Sequence, residues 1–151
     1  NGGAFIMALQ VLAKDNILLN QQVATKEEAI RLAGKLLVER GNVEPAYVEK
    51  MLEREEITST FMGNFVAIPH GTDDAKKEVK ESGISIIQVP DGVDFGNGNI
   101  VKLIFGIAGK GNEHLDILSK IAISVSEMDN VEKLVAATSV ESIIELFEGV
   151  N

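Results

Sequence analysis

Residues 100–108, Ile-Val-Lys-Leu-Ile-Phe-Gly-Ile-Ala, form a near-continuous apolar run with one charge in it. A half-exposed strand alternates apolar and polar residues, because successive side chains point to opposite faces. This run does not alternate, so it reads as a strand buried on both faces. Such a strand needs cover above and below it, which is the arrangement of an α/β fold.

The rest of the chain supplies matching pieces. Residues 84–89, Ile-Ser-Ile-Ile-Gln-Val, are rich in β-branched side chains and read as a second strand. Residues 65–68 form a short apolar run ended by Pro69, and residues 16–19 suit a brief edge strand. Pro90-Asp91-Gly92 and residues 95–99 read as loops. Thr25 with Glu28 marks a helix start, Ala29, Ile30, Ala33, Leu36 and Leu37 give its apolar face, and Gly41 ends it. Pro45 opens a second helix carrying Tyr47, Val48, Met51 and Leu52. Residues 75–80 suit a short charged helical piece. Asn112 can cap a further helix whose stripe is Leu115, Leu118, Ile121, Ala122 and Val125. Asp129 with Glu132 and Thr138 with Glu141 mark two more helix starts. Phe61, Met62 and Phe65 are expected in the core. The expectation is one α/β domain over residues 1–151, with helices on both faces of the sheet. Residues 1–6 read as a cloning remnant, the native chain starting near Met7 and ending, free-standing, at Asn151.

Charge and composition narrow the function. A net charge of −9 over 151 residues disfavours a nucleic-acid surface and anionic lipid. The absence of cysteine excludes disulfides, thiolate chemistry and a cysteine zinc site on this chain, and is compatible with a reducing cytoplasm. No apolar run approaches the ~20 residues that span a bilayer.

Within that frame, one stretch carries chemistry. Residues 64–72, Asn-Phe-Val-Ala-Ile-Pro-His-Gly-Thr, read as a strand that stops at Pro69 and presents His70 at its carboxyl end. Ligands of open α/β sheets sit outside the carboxyl ends of strands. Gly71 lets the backbone turn and a ligand approach. Thr72 is placed to cap a following helix whose free N–H groups favour an anion. A neutral imidazole can accept a phosphoryl group and pass it on. The other histidine, His114, falls in a helical first turn just past the strand at 100–108, an analogous topological position. Arg54, in the charged end 53–56 of the second helix, either faces solvent or offers its fork of donors to an anion beside His70.

The stretch 64–72, residues 51–60 with Arg54-Glu55, and residues 109–115 with Glu113-His114 resemble the enzyme IIA component of the sugar phosphotransferase system, mannitol/fructose class, and most closely its mannitol-specific branch. Residues 25–33, 43–54 and 117–123 fit as well, so the similarity covers nearly the whole chain. The resemblance implies a central mixed β-sheet between helices. It also implies that His70 is phosphorylated on Nε2 by the phosphocarrier protein and hands the group to a cysteine of enzyme IIB, which serves the membrane IIC component. Arg54 and His114 become the supporting groups. No cofactor and no metal are called for, and the implied location is the cytoplasm. Two other readings compete. A nitrogen-related regulatory IIA acts through protein binding. A metallohydrolase using His70, His114 and a carboxylate lacks a short ligand motif.

Overall fold

The computed structural model describes residues 12–148, so residues 1–6 and a start near Met7 lie outside the described residues. Five strands form one sheet in the order β1-β4-β5-β3-β2: β1 (Leu12–Leu18), β2 (Phe61–Gly63), β3 (Val66–Ala67), β4 (Gly83–Asp94) and β5 (Ile100–Ala108). β1 runs parallel to β4 and β3 parallel to β5, while β4–β5 and β2–β3 are antiparallel. The sheet is therefore mixed. The helices are α1 (Lys26–Arg40), α2 (Ala46–Ile57), α3 (Glu113–Val125), α4 (Met128–Ala136) and α5 (Val140–Glu148).

β5 lies inside the sheet, as its sequence demands. Leu103, Phe105 and Ile107 face one core with Ile117 and Ile121 of α3, Val131 and Leu134 of α4, and Ile143 and Phe147 of α5. Val101, Ile104 and Ala108 face the other core with α1 and with Tyr47 and Met51 of α2. The helices thus cover both faces. α1 begins and ends as its sequence requires. Thr25 accepts a hydrogen bond from the Glu28 N–H, the Glu28 carboxylate accepts from the Ala24 N–H, and Gly41 closes the helix in the left-handed region at φ 85°.

Several expectations are corrected. Pro90-Asp91-Gly92 is not a turn but lies within β4, at a bulge where five steps from Gln88 to Val93 answer two on β5. Gly92 absorbs the distortion at φ 83°, and a bulge leaves unpaired positions where a proline without an N–H is tolerated. The strand expected at 65–68 shrinks to Val66–Ala67, because the β2–β3 turn is centred on Asn64 and Phe65, both with positive φ. Phe65 (38% exposed) and Met62 (37%) therefore leave the core. Lys102 sits 4.8 Å over the Phe65 ring instead. The piece expected at 75–80 is a 3₁₀ helix, Asp73–Glu78. The second helix does open at Pro45, which takes helical angles at the cap position before Ala46. On α3 the buried stripe is Ile117, Ile121 and Val125, with Leu118 partly buried; Leu115 stands 59% exposed. The cap of α5 is Ser139, whose hydroxyl accepts from the Ser142 N–H, and not Thr138. Asp129 lies in the first turn of α4, where Glu127 occupies the cap position.

Candidate functional site

The carboxyl ends of β3 and β5, the 3₁₀ helix and the first turn of α3 enclose a pocket of about 320 Å³. It is lined by Arg54, His70 and His114, the three residues singled out from the sequence, so the fold brings all three to one place. Tyr47, Gly71, Thr72, Asp73, Lys76, Gly109 and Leu115 also line it.

His70 follows Pro69 at the point where β3 runs out, and it forms an isolated parallel bridge with Ile107 of β5. The Ile107 N–H donates to the Pro69 carbonyl at 2.9 Å. The His70 ring turns back on its own chain, with Nδ1 2.8 Å from the Ile68 carbonyl oxygen. A carbonyl oxygen only accepts, so Nδ1 carries the proton and Nε2 holds the lone pair. Burial pushes the pKa of this ring below its ordinary value. The nearby charges of Arg54 and His114 act in the same direction, against the Ile68 hydrogen bond and Asp73. A neutral ring with a free Nε2 is the nucleophilic form of histidine.

Arg54 lies in the last turn of α2, and one Nη donates to the Thr58 carbonyl at 2.7 Å. This bond ties the guanidinium to the end of its own helix and leaves its other N–H groups for the pocket. The neighbouring Glu55 is buried, and its Oε1 accepts from both the N–H (3.0 Å) and the hydroxyl (2.6 Å) of Thr60. The loop after α2 is therefore held at both Thr58 and Thr60.

His114 stands in the first turn of α3, whose entry is fixed by two contacts. The Ser82 hydroxyl donates to the Glu113 carboxylate in a short hydrogen bond and accepts from the Lys110 N–H at 2.9 Å. Asn112 is at the cap position but makes no capping bond; its side-chain oxygen faces the Lys76 ammonium at 3.4 Å. Thr72 likewise occupies a cap position without capping, since its hydroxyl bonds the Asp74 carboxylate.

In a chain of net charge −9, the pocket gathers Arg54 and Lys76 beside two histidines, against the single carboxylate of Asp73. That lining suits a multiply charged anion. Sequence reasoning missed Lys76, Tyr47 and Gly109. Lys76 was readable as a cation one turn beyond Thr72. Tyr47 was readable as seven residues before Arg54, on the same face of one helix.

Residues 10–150 match the model of the family described as phosphoenolpyruvate-dependent sugar phosphotransferase system, EIIA 2. The chain belongs to this family. Among its relatives, the mannitol-specific phosphotransferase enzyme IIA component of Geobacillus stearothermophilus is 62% identical over 145 residues, covering 96% of this chain and all of the relative. The crystal structure of mannitol IIA from Escherichia coli superposes with a TM-score of 0.84 at 42% identity, covering 89% of this chain and 97% of that one. The same protein in complex with phosphorylated mannitol enzyme IIB gives a TM-score of 0.84 at 40% identity, covering 91% and 96%. The EIIA 2 fold of these structures is the mixed sheet between helices described above.

Proposed function

We propose that this protein is the phosphoryl relay for mannitol uptake, acting as one IIA domain in the cytoplasm. It takes the group from the phosphohistidine of the phosphocarrier protein and gives it to a cysteine of enzyme IIB. Enzyme IIB then phosphorylates sugar arriving through the membrane IIC component. The observation that carries this reading is the tautomer of His70, with Nδ1–H given to Ile68 and Nε2 free, in a pocket shared with Arg54 and His114.

In the forward step, the Nε2 lone pair of His70 attacks phosphorus while the phosphorus–nitrogen bond of the donor histidine breaks. The donor ring leaves with that electron pair. The His70 ring takes up positive charge as its new bond forms, and the Ile68 carbonyl on Nδ1–H stabilises that charge. The transferred group passes through a loose transition state with charge on its equatorial oxygens. Arg54 and the His114 ring N–H hold those oxygens. In the second step the cysteine thiolate of enzyme IIB attacks phosphorus, and the His70 ring leaves neutral. This chain has no cysteine, so the acceptor thiol belongs to the partner. Both entering and leaving groups are side chains, and the relay needs no metal.

The test is labelling from phosphoenolpyruvate through the general phosphotransferase proteins, with mass mapping of the modified residue. The label is expected on His70 and is expected to vanish in His70→Ala. Persistent labelling of that variant rules the assignment out.

A further inference from the structure

The parallel ladder between the His70 segment and β5 is interrupted by a side chain. In a regular parallel pair, a residue's N–H and C=O bond the two neighbours of its partner on the facing strand. For the His70–Ile107 bridge, the first of these bonds is present, from the Ile107 N–H to the Pro69 carbonyl at 2.9 Å. The second would run from the Gly71 N–H to the Ile107 carbonyl. The Tyr47 hydroxyl stands in its place. It accepts from the Gly71 N–H at 2.9 Å and donates to the Ile107 carbonyl at 2.8 Å.

We infer that Tyr47 is a positioning residue for phosphoryl transfer, its hydroxyl acting as a one-atom spacer that sets how far the His70 turn stands off from β5. The inference rests on His70 being the phosphoryl acceptor. The spacer is well made. Tyr47 is 4% exposed, and its burial pushes the phenol pKa up to about 12, so its oxygen keeps the proton it gives to Ile107. The ring lies against Gly71 so closely that a Cβ there would come within 2.6 Å of it. Tyr47 also shares α2 with Arg54, so one rigid helix sets both the height of the His70 backbone and the place of the guanidinium. Without the oxygen, two outcomes are open to the backbone. The Gly71 N–H and Ile107 carbonyl stay unpaired, or the ladder closes directly and draws His70 toward β5. The first frees the His70 turn from its restraint and the second displaces it, so in both the nucleophile is no longer held in one place relative to Arg54 and His114.

Tyr47→Phe keeps the ring and removes the spacer. In the full-length chain, with phosphocarrier protein charged from phosphoenolpyruvate as donor, the single-turnover rate at saturating donor is expected to fall about tenfold, because small misplacements of reacting groups are costly. The donor concentration at half-maximal rate is expected to hold, and the ¹⁵N signals of the His70 ring to shift. A parental rate with parental ring signals overturns the inference, as does an effect confined to the half-maximal concentration. If the variant does not fold, hydrogen exchange in the parent decides. A Gly71 amide protected like that of Leu103 supports the spacer, and one exchanging at the rate of an open loop overturns it. His70→Ala runs alongside. If it still takes label, the acceptor assignment fails; if it is silent and Tyr47→Phe matches the parent, only the role of Tyr47 fails.

Discussion

The imidazole of His70 gives its Nδ1 proton to the carbonyl of Ile68, two residues earlier in the chain, at 2.8 Å. The contact is local, yet it decides which nitrogen keeps a free lone pair, namely Nε2. It also fixes the ring plane, so that Nε2 is held toward one place.

The first prediction concerns pH. Burial, Arg54 and His114 lower the His70 pKa, so the folded protein holds a neutral ring where a free histidine would begin to protonate. Phosphoryl acceptance should stay level as pH falls to about 6.5, the ordinary histidine value, and decline only below it. Below that value the unfolded chain takes up the proton before the folded one does, so folding stability drops as pH falls through this window. ¹⁵N NMR titration should give a His70 midpoint under 6.5 with Nδ1 protonated and Nε2 bare at neutral pH. A raised midpoint contradicts the geometry.

Arg54 provides the second prediction. Its guanidinium uses one donor on Thr58 and lines the pocket, where the proposed relay needs its others for the phosphoryl oxygens. A lysine at this position has a single point charge and cannot serve both tasks in one geometry. Arg54→Ala should slow transfer by about 100-fold, the scale for removing one placed donor. Arg54→Lys should recover only part of that loss. Rapid-quench single-turnover measurement separates the three proteins, and full recovery by lysine would show that bare charge is enough.

Glu55 gives a prediction about stability. Its buried carboxylate takes two hydrogen bonds from Thr60, and Lys26 stands 4.0 Å from the second oxygen. Glu55→Ala leaves the Thr60 donors unpaired and should cost about 2–3 kcal/mol. Glu55→Gln keeps an acceptor for Thr60 and should cost less. Urea unfolding of the two variants checks the order. Equal losses would mean that the charge near Lys26, and not the Thr60 bonds, is what matters.

The layers of this fold were legible because they depend on periodicity. The unalternating run of β5, the Thr25–Glu28 start and the Gly41 stop of α1 are each specified by residues within a few positions of one another. What was not legible depends on partners far away in the chain. Pro90-Asp91-Gly92 has the composition of a turn, and only pairing with β5 draws it into a bulged strand. Leu115 fits a helical stripe by spacing, but α3 rolls its Ile117–Ile121 side onto the sheet and leaves Leu115 at the pocket rim. For the candidate site, the shared location of His70 and His114 was readable from their positions after strands. The proximity of Arg54 was a choice between solvent and pocket that spacing could not make. The spacer role of Tyr47 requires knowing that two carbonyl and amide groups, 36 residues apart at Gly71 and Ile107, meet at one hydroxyl.

The last prediction separates two glycines of one loop. At Gly109 an added Cβ would run into the backbone and Cβ of His114, so the start of α3 packs directly on this position. At Gly111 the φ is 63°, and an added Cβ meets nothing within 4 Å. The two demands are different in kind. Gly109→Ala must displace His114 or fail to form the loop, and backbone cannot give way as a flexible side chain can. Transfer should therefore fall by about 100-fold, the cost of a misplacement near 1 Å. Gly111→Ala strains only its own left-handed conformation, which costs about 1 kcal/mol, and leaves His114 where it is. Its melting temperature should drop while its single-turnover rate holds. If Gly111→Ala slows transfer as much as Gly109→Ala, the loop acts through its overall conformation and not through the packing of Gly109 on His114.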